Sequence, residues 1–390
     1  MPGEHAVLSP SGASRWLACT PSARLEMQYP DTSGAAAAEG TVAHALGEAI
    51  IRRHVFSGAE RVKANAEIMR IEKDPYYCED MQAHCEDYAT FVIELFEEAK
   101  TRNSDAVIKV EQKLDLTDYV PEGFGTGDCI IIADGTLYII DLKYGKGVLV
   151  SCENNKQMML YALGALREFD FLYDIHAVSM TIYQPRLNNI STFEMPVRML
   201  HKWAEDELVP RSKMAFEGVG EFAPGKHCQF CKARVQCKAL AEYNLELAKY
   251  EFQKANLLED ADIADIMDRA SMFTSWLNSI QEYALKEAVD NGKKWPGYKL
   301  VEGRSNRCYK DQDLVVKTLK DAGYPEDLLY TRSLLGITAM EKTITAKQFS
   351  VLLGDLVIKP AGKPTLVPAT DKRPEWNSVE SAVKDFSEVS

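Results

Sequence analysis

The chain has 390 residues, 46% of them hydrophobic and 26% charged, and a formal net charge of −13. That length suffices for two or three domains with cores of their own, and no apolar run approaches the roughly 18 residues of a membrane span. The acidic balance excludes nucleic-acid binding by overall charge, so a polyanionic substrate has to be met by a local basic patch or through bound metal.

The opening Met1-Pro-Gly-Glu-His5 has no basic region leading into an apolar stretch, so no secretory signal is expected and the address is read as cytoplasmic. A helix is expected over Ala35 to His54, with Leu46, Ile50 and Ile51 at helical spacing. A second runs from Glu79 to Thr101, acidic on one side and carrying Tyr88, Phe91, Val92, Leu95 and Phe96 on the other. Strands follow at Ala106 to Leu116, Thr126 to Ala133 and Thr136 to Lys143, then a helix from Asn154 to Phe169 and a strand from Ala177 to Gln184. After Pro185 the pattern gives a strand near Thr192 to Val197 and a helix from Met199 to Phe216. Residues 241 to 291 read as helical and acidic, and Trp295 to Ser390 as a mixture of a short strand at Tyr298 to Glu302, helical pieces and a tail containing Pro and Lys.

The strands around Asp134-Gly135 read as a β-hairpin. Partners across it have numbers summing to 269, which sets Ile132 against Leu137, Ile130 against Ile139 and Asp128 against Asp141. Two carboxylates facing each other at about 5 Å repel, and a divalent cation between them removes the penalty. Side chains alternate along a strand, so Lys143 shares the face of Asp141 and stands beside that cation.

Three further constellations accompany the hairpin. His44 and Glu48 lie at i and i+4 on one helix face and can reach a common ion, although a helical His taken alone is more often packed or at the surface. Gln157 and Tyr161 have the same spacing on the helix just after the hairpin, offering an amide and a phenol to the site. Of nine cysteines, Cys228, Cys231 and Cys237 cluster, and Cys19 is the candidate for a fourth ligand. Four thiolates suit tetrahedral Zn2+ or a 4Fe-4S cluster equally by spacing, and His227 leaves a mixed zinc site open. Lys226, Lys232, Arg234 and Lys238 nearby offset thiolate charge or grip phosphate. Lys293, Lys294, Arg304, Arg307 and Lys310 form a second basic patch, although each taken singly reads as solvated surface.

The order His44, Asp128, Asp141-Leu142-Lys143, Gln157-x3-Tyr161, bracketed by Cys19 and Cys228-x2-Cys231-x5-Cys237, resembles the iron-sulfur branch of the RecB-like PD-(D/E)XK nucleases. That branch includes the AddB-type nuclease domain and the CRISPR-adaptation exonucleases. The segments Ser9 to Pro21 and Gly354 to Pro374 further resemble a phage and prophage group of such nucleases. The third acidic position is Asp141 where many relatives carry Glu, and no Pro precedes Asp128.

The resemblance implies an α/β, restriction-endonuclease-like core over residues 1–240, a mixed sheet flanked by helices, followed by a largely helical region over 241–390. It implies Mg2+ or Mn2+ held by His44, Asp128, Asp141 and the Leu142 carbonyl, with Lys143 positioning or helping to deprotonate the attacking water. Gln157 and Tyr161 would shape the site beside the scissile phosphate, Glu48 would stand behind the ligands, and Glu111 is a further candidate near the metal. The cysteines would hold a 4Fe-4S cluster, with structural Zn2+ as the alternative. The function implied is a metal-dependent DNA nuclease, an exonuclease serving phage recombination, replication or end processing in a bacterial host's cytoplasm. Its partners would be DNA, a single-strand annealing protein and further copies of the chain, with no membrane. Two other readings are an inactive nucleic-acid-binding or assembly protein on a nuclease scaffold, and a zinc-ribbon binding protein in which the hairpin acids are incidental.

Overall fold

A computed structural model describes residues 6–30, 34–246, 259–299, 312–321, 340, 346–353 and 356–357. The chain divides into two compact units, Met1–Leu300 and Val301–Ser390. In the first, short helices α1 (Ala13–Ala18) and α2 (Ser22–Glu26) precede the long helices α3 (Ala35–Val55), α4 (Gly58–Ile71) and α5 (Glu79–Arg102). Strands β1 (Val107–Asp115), β2 (Phe124–Ile132) and β3 (Gly135–Leu142) lead into α6 (Lys156–Phe169), β4 (Ile175–Gln184) and β5 (Asn189–Pro196). Helices α7 (Val197–Trp203), α8 (Val209–Glu217), α9 (Lys238–Leu245) and α10 (Asp260–Asp290) follow. The described part of the second unit holds α11 (Gln312–Asp321) and α12 (Ala346–Leu353).

The five strands form one mixed sheet in the order β1-β2-β3-β4-β5. All neighbours are antiparallel except β3 and β4, which run parallel because α6 carries the chain back across one face. One face buries Ile130, Ile132, Leu137 and Ile139 against α6, whose residues from Met158 to Leu166 are all buried. The other buries Cys129, Ile131, Ile140 and Leu142 under α3 and α5 through Leu46, Ile50, Tyr88 and Val92. The molecule is therefore α/β, with helices on both faces of a mixed sheet and a helical region after it.

The β2–β3 register pairs Ile132 with Leu137, Ile130 with Ile139 and Cys129 with Ile140, as the hairpin predicts. Gly135 sits at φ 84° in the turn, a conformation that favours glycine. The helix expected from Met199 to Phe216 is present but broken into α7 and α8 by a π-helical stretch, Ala204–Leu208. Pro210, which has no amide hydrogen to donate, lies just beyond it after Val209.

In three places the structure adds to or departs from the sequence pattern. Helix α4 has only Ala64, Ile68 and Ile71 buried among its 14 residues, an apolar stripe too sparse to stand out in the sequence. Helices α9 and α10 lie within the first unit, where Leu240 and Trp276 pack against Cys228. Tyr298 and Lys299 carry no strand, and the remainder of that expected strand, with Arg304, Arg307, Lys310 and the segment from 358 onward, lies outside the described residues.

Candidate functional site

The β2–β3 ladder ends at Cys129 and Ile140, and the next pair would be Asp128 with Asp141. There the Leu142 amide donates to Asp128 Oδ2 at 2.8 Å, so a side chain supplies the acceptor. On the other side of β2, β1 pairs with a constant sum of 239, Val110 with Cys129 and Gln112 with Gly127, which leaves Glu111 level with Asp128. Three adjacent strands thus set Glu111, Asp128 and Asp141 in one row.

Glu111 takes φ 53°, the left-handed region that a non-glycine residue seldom adopts. Its effect shows in the cores: Ile108 and Val110 pack toward α3 and α5, whereas Leu114 packs on the α6 side, although strict alternation would keep all three on one face. Strand β2 inverts at the same level. Cys129 and Ile131 face α3 and α5, while a Cβ on Gly125 would strike Pro10 Cγ at 2.6 Å and Tyr161 Cε1 at 3.0 Å on the α6 side. The acids stand where the facing of both strands turns over.

Side chains reach them from both layers. From α3, His44 Nδ1 lies 3.1 Å from Asp128 Oδ2. From α6, Gln157 Nε2 donates to Asp141 Oδ1 at 3.1 Å and to Tyr161 Oη at 3.1 Å. The Asn155 side chain caps α6 by accepting from the amides of Gln157 and Met158, which fixes where Gln157 begins its turn. From β3 itself, Lys143 Nζ pairs with Asp141 Oδ2 at 2.9 Å, and that carboxylate is 1% exposed. Glu48 is ion-paired with Arg52 at 2.7 Å and lines the cavity with His44, Glu111 and Asp128.

The crowding shifts protonation. Burial lifts Glu111 to about 7, helped by the charges of Asp128 and Glu48. Burial also raises Asp141, with Asp128 adding to it against the pull of Lys143. Asp128 moves down, because His44, Lys143 and the Leu142 amide together outweigh its burial. Burial would lower His44, but the charge and hydrogen bond of Asp128 override it and hold the ring up at about 9. Lys143 is likewise raised, its burial offset by Asp141 and Asp128.

Ligand atoms of His44, Glu111 and Asp128 lie within 4.8 Å of one another, the geometry of a metal-binding triad. The sequence reading named His44, Asp128, Asp141 and the Leu142 carbonyl as the ligands, with Glu111 as a further candidate near the metal. Glu111 joins the close triad instead of Asp141, which Lys143 and Gln157 hold. Only the β1–β2 register, with its left-handed residue, brings Glu111 to Asp128, and no local pattern announces it.

The four cysteines named from the sequence, Cys19, Cys228, Cys231 and Cys237, line one cavity together with Arg15, Arg234 and His227. All four are free thiols. Among the described residues, no three of them meet the 4.8 Å spacing of the acidic triad. The N-terminal segment is tied to the cysteine loop by three side chains. Arg15 Nε pairs with Glu26 Oε2 at 2.7 Å, Glu26 Oε1 accepts the Lys232 amide at 2.8 Å, and Tyr29 Oη donates to Gln236 Oε1 at 2.9 Å. His227 turns its Nε2 toward the Ala223 carbonyl, 2.9 Å away.

No helix among the described residues is long and apolar enough to cross a membrane. A solved structure described as "Crystal structure of SSO0001" is similar over 50% of this chain and 85% of its own, at 14% identity and a TM-score of 0.22, a likeness too slight to carry an argument. The family model described as "Protein of unknown function (DUF2800)" matches residues 5–374, and the chain belongs to that family.

Proposed function

We propose that the chain is a metal-dependent DNA nuclease on a restriction-endonuclease-like core, with Mg2+ or Mn2+ at the row of acids and a 4Fe-4S cluster at the cysteines. The observation that carries the reading is the meeting of Glu111, Asp128 and Asp141 with His44 and Lys143 at one level of the sheet. Three carboxylates side by side repel, one of them, Asp141, buried and the other two half-buried, and Glu111 and Asp141 are already displaced toward their neutral forms. Oxygen donors with one imidazole suit a hard divalent cation, which would remove that repulsion. Such a cation, when bound, makes water more acidic and offsets charge developing on a phosphate.

The chain's own groups divide the remaining work. Lys143 is held as an ammonium by Asp141 and Asp128, so its part is to donate to a phosphate oxygen and to orient water, while proton abstraction falls elsewhere. Gln157 fixes the Asp141 carboxylate by bonding Oδ1, leaving Oδ2 to Lys143. Tyr161 is kept protonated by burial and accepts from Gln157, which fixes the amide in turn. Hydrolysis by water without a covalent intermediate fits these roles. The mixed sheet, with its parallel β3–α6–β4 crossover, supports the restriction-endonuclease-like core, and the four thiols among arginines support the cluster.

Incubation of end-labelled duplex, single-stranded and circular DNA with Mg2+ or Mn2+ tests the activity. Wild-type protein should degrade at least one of the three, and Asp141→Ala should degrade none. Cleavage by Asp141→Ala at the wild-type rate would overturn the catalytic assignment.

A further inference from the structure

Tyr88 on α5 has no part in the chemistry above, yet it stands among the acids. It is 2% exposed and lines the cavity formed by His44, Glu48, Glu111 and Asp128. Its hydroxyl oxygen is fully buried and has no hydrogen-bond partner among the described residues. Buried hydroxyls without partners are uncommon, because the desolvation they suffer goes uncompensated. Burial keeps this phenol protonated, with the charges of Cys129, Asp128, Asp141 and Glu111 adding to the effect, so it remains an O–H donor close to carboxylates with which it makes no hydrogen bond.

Room has been made for the ring. Gly47 follows His44 by one turn on the same face of α3, and a Cβ there would come within 3.2 Å of Tyr88 Cδ1 and 3.4 Å of Cε1. Glycine inside a helix is unfavourable, so the position trades helix stability for the approach of this ring. Against Tyr183, at 5.5 Å between ring centroids, phenylalanine would pack as well without burying an idle hydroxyl.

We propose that Tyr88 is a positioning residue of the cation site, donating its hydroxyl to a water carried by the cation that His44, Glu111 and Asp128 hold. A donor that bonds a metal-held water without itself being a ligand would fix that water's orientation. The inference rests on the metal-binding reading above, and the test separates the two.

Full-length wild type, Tyr88→Phe, Gly47→Ala, the double variant and Asp128→Asn are titrated with Mn2+ by calorimetry, and each is melted metal-free. Tyr88→Phe should melt metal-free at or above the wild-type temperature, because it sheds an idle buried hydroxyl, while binding Mn2+ about tenfold more weakly. Gly47→Ala, which pushes the ring, should weaken Mn2+ binding too, and the double variant should lose no more than Tyr88→Phe alone. Mn2+ affinity in Tyr88→Phe within twofold of wild type would overturn the proposal, as would a lowered metal-free melting temperature. Wild-type Mn2+ binding by Asp128→Asn would instead remove the cation site itself.

Discussion

Lys143→Met gives the sharpest reading of how the acids are held. In the native protein Lys143 Nζ lies 2.9 Å from Asp141 Oδ2, and Asp141 is 1% exposed, with Gln157 on its other oxygen. Methionine keeps the apolar stem but leaves a buried carboxylate beside Asp128 with no compensating ammonium. Removing one partner of a buried pair costs about 3–5 kcal/mol, and the lower end applies because Lys143 itself is partly exposed. Over the roughly 300 residues of the first unit, at about 2.1 cal/mol/K of unfolding entropy per residue, about 3 kcal/mol is a fall of roughly 5 °C in melting temperature. The sign follows from Asp141, whose folded-state pKa is already raised and rises further without the lysine. An acid displaced upward costs stability above its unfolded pKa, and the cost disappears when pH falls far enough to protonate it in both states. Metal-free calorimetry at pH 8 should therefore show the full loss, and at pH 5 a smaller one. Lys143→Met combined with Asp141→Asn should recover most of the stability, since the carboxylate left without its ammonium is gone, while Asp128 keeps its pairing with His44. A Lys143→Met loss below about 1 kcal/mol at pH 8 would refute the reasoning, because it lies under the range for a broken buried pair. So would a double variant no more stable than the single.

Two further predictions concern pH and the cysteines. Glu111, raised to about 7, holds its proton when folded from about 4.5 upward, while His44, raised to about 9, stays charged when folded after the unfolded ring has titrated at 6.5. In both windows the folded state binds more protons, so these groups make metal-free stability fall as pH rises from 4.5 to 9. Denaturation with urea across that range checks this, and Glu111→Gln should flatten the lower half. Cys231→Ser should abolish the absorbance near 400 nm of anaerobically purified protein, and colourless wild type with stoichiometric zinc would replace the cluster with a zinc site.

The hairpin register was legible because side chains alternate and a short turn at Asp134-Gly135 fixes the partners, and the Gln157/Tyr161 pair because helical spacing is local. Cys19 could be named only by elimination, yet it meets Cys228, Cys231 and Cys237 in one cavity. Glu111 was visible as an acid on the preceding strand, but its closeness to His44 and Asp128 depends on a positive φ that no residue pattern encodes. Tyr88 read as part of an apolar helix face, and it is buried there. What the face could not reveal is that its hydroxyl has no partner among the described residues, in a cavity lined also by α3, β1, β2 and β3.

The inversion at Glu111 and Asp128 explains why one site can draw on both helical layers. A sheet with unbroken alternation would present Asp128 and Asp141 to a single face, and either His44 or Gln157 would be stranded behind the strands. With the facing of β1 and β2 turned over at this level, Asp128 meets His44 of α3 while Asp141, held by Gln157 of α6, stays close enough to couple electrostatically with it. The Leu142 amide bonds Asp128 across the same gap. Charge and hydrogen bonding at the acids therefore bind the two layers to each other. A strained residue at Glu111 is tolerable there because His44, Asp128 and the β1–β2 ladder on either side together over-determine its position.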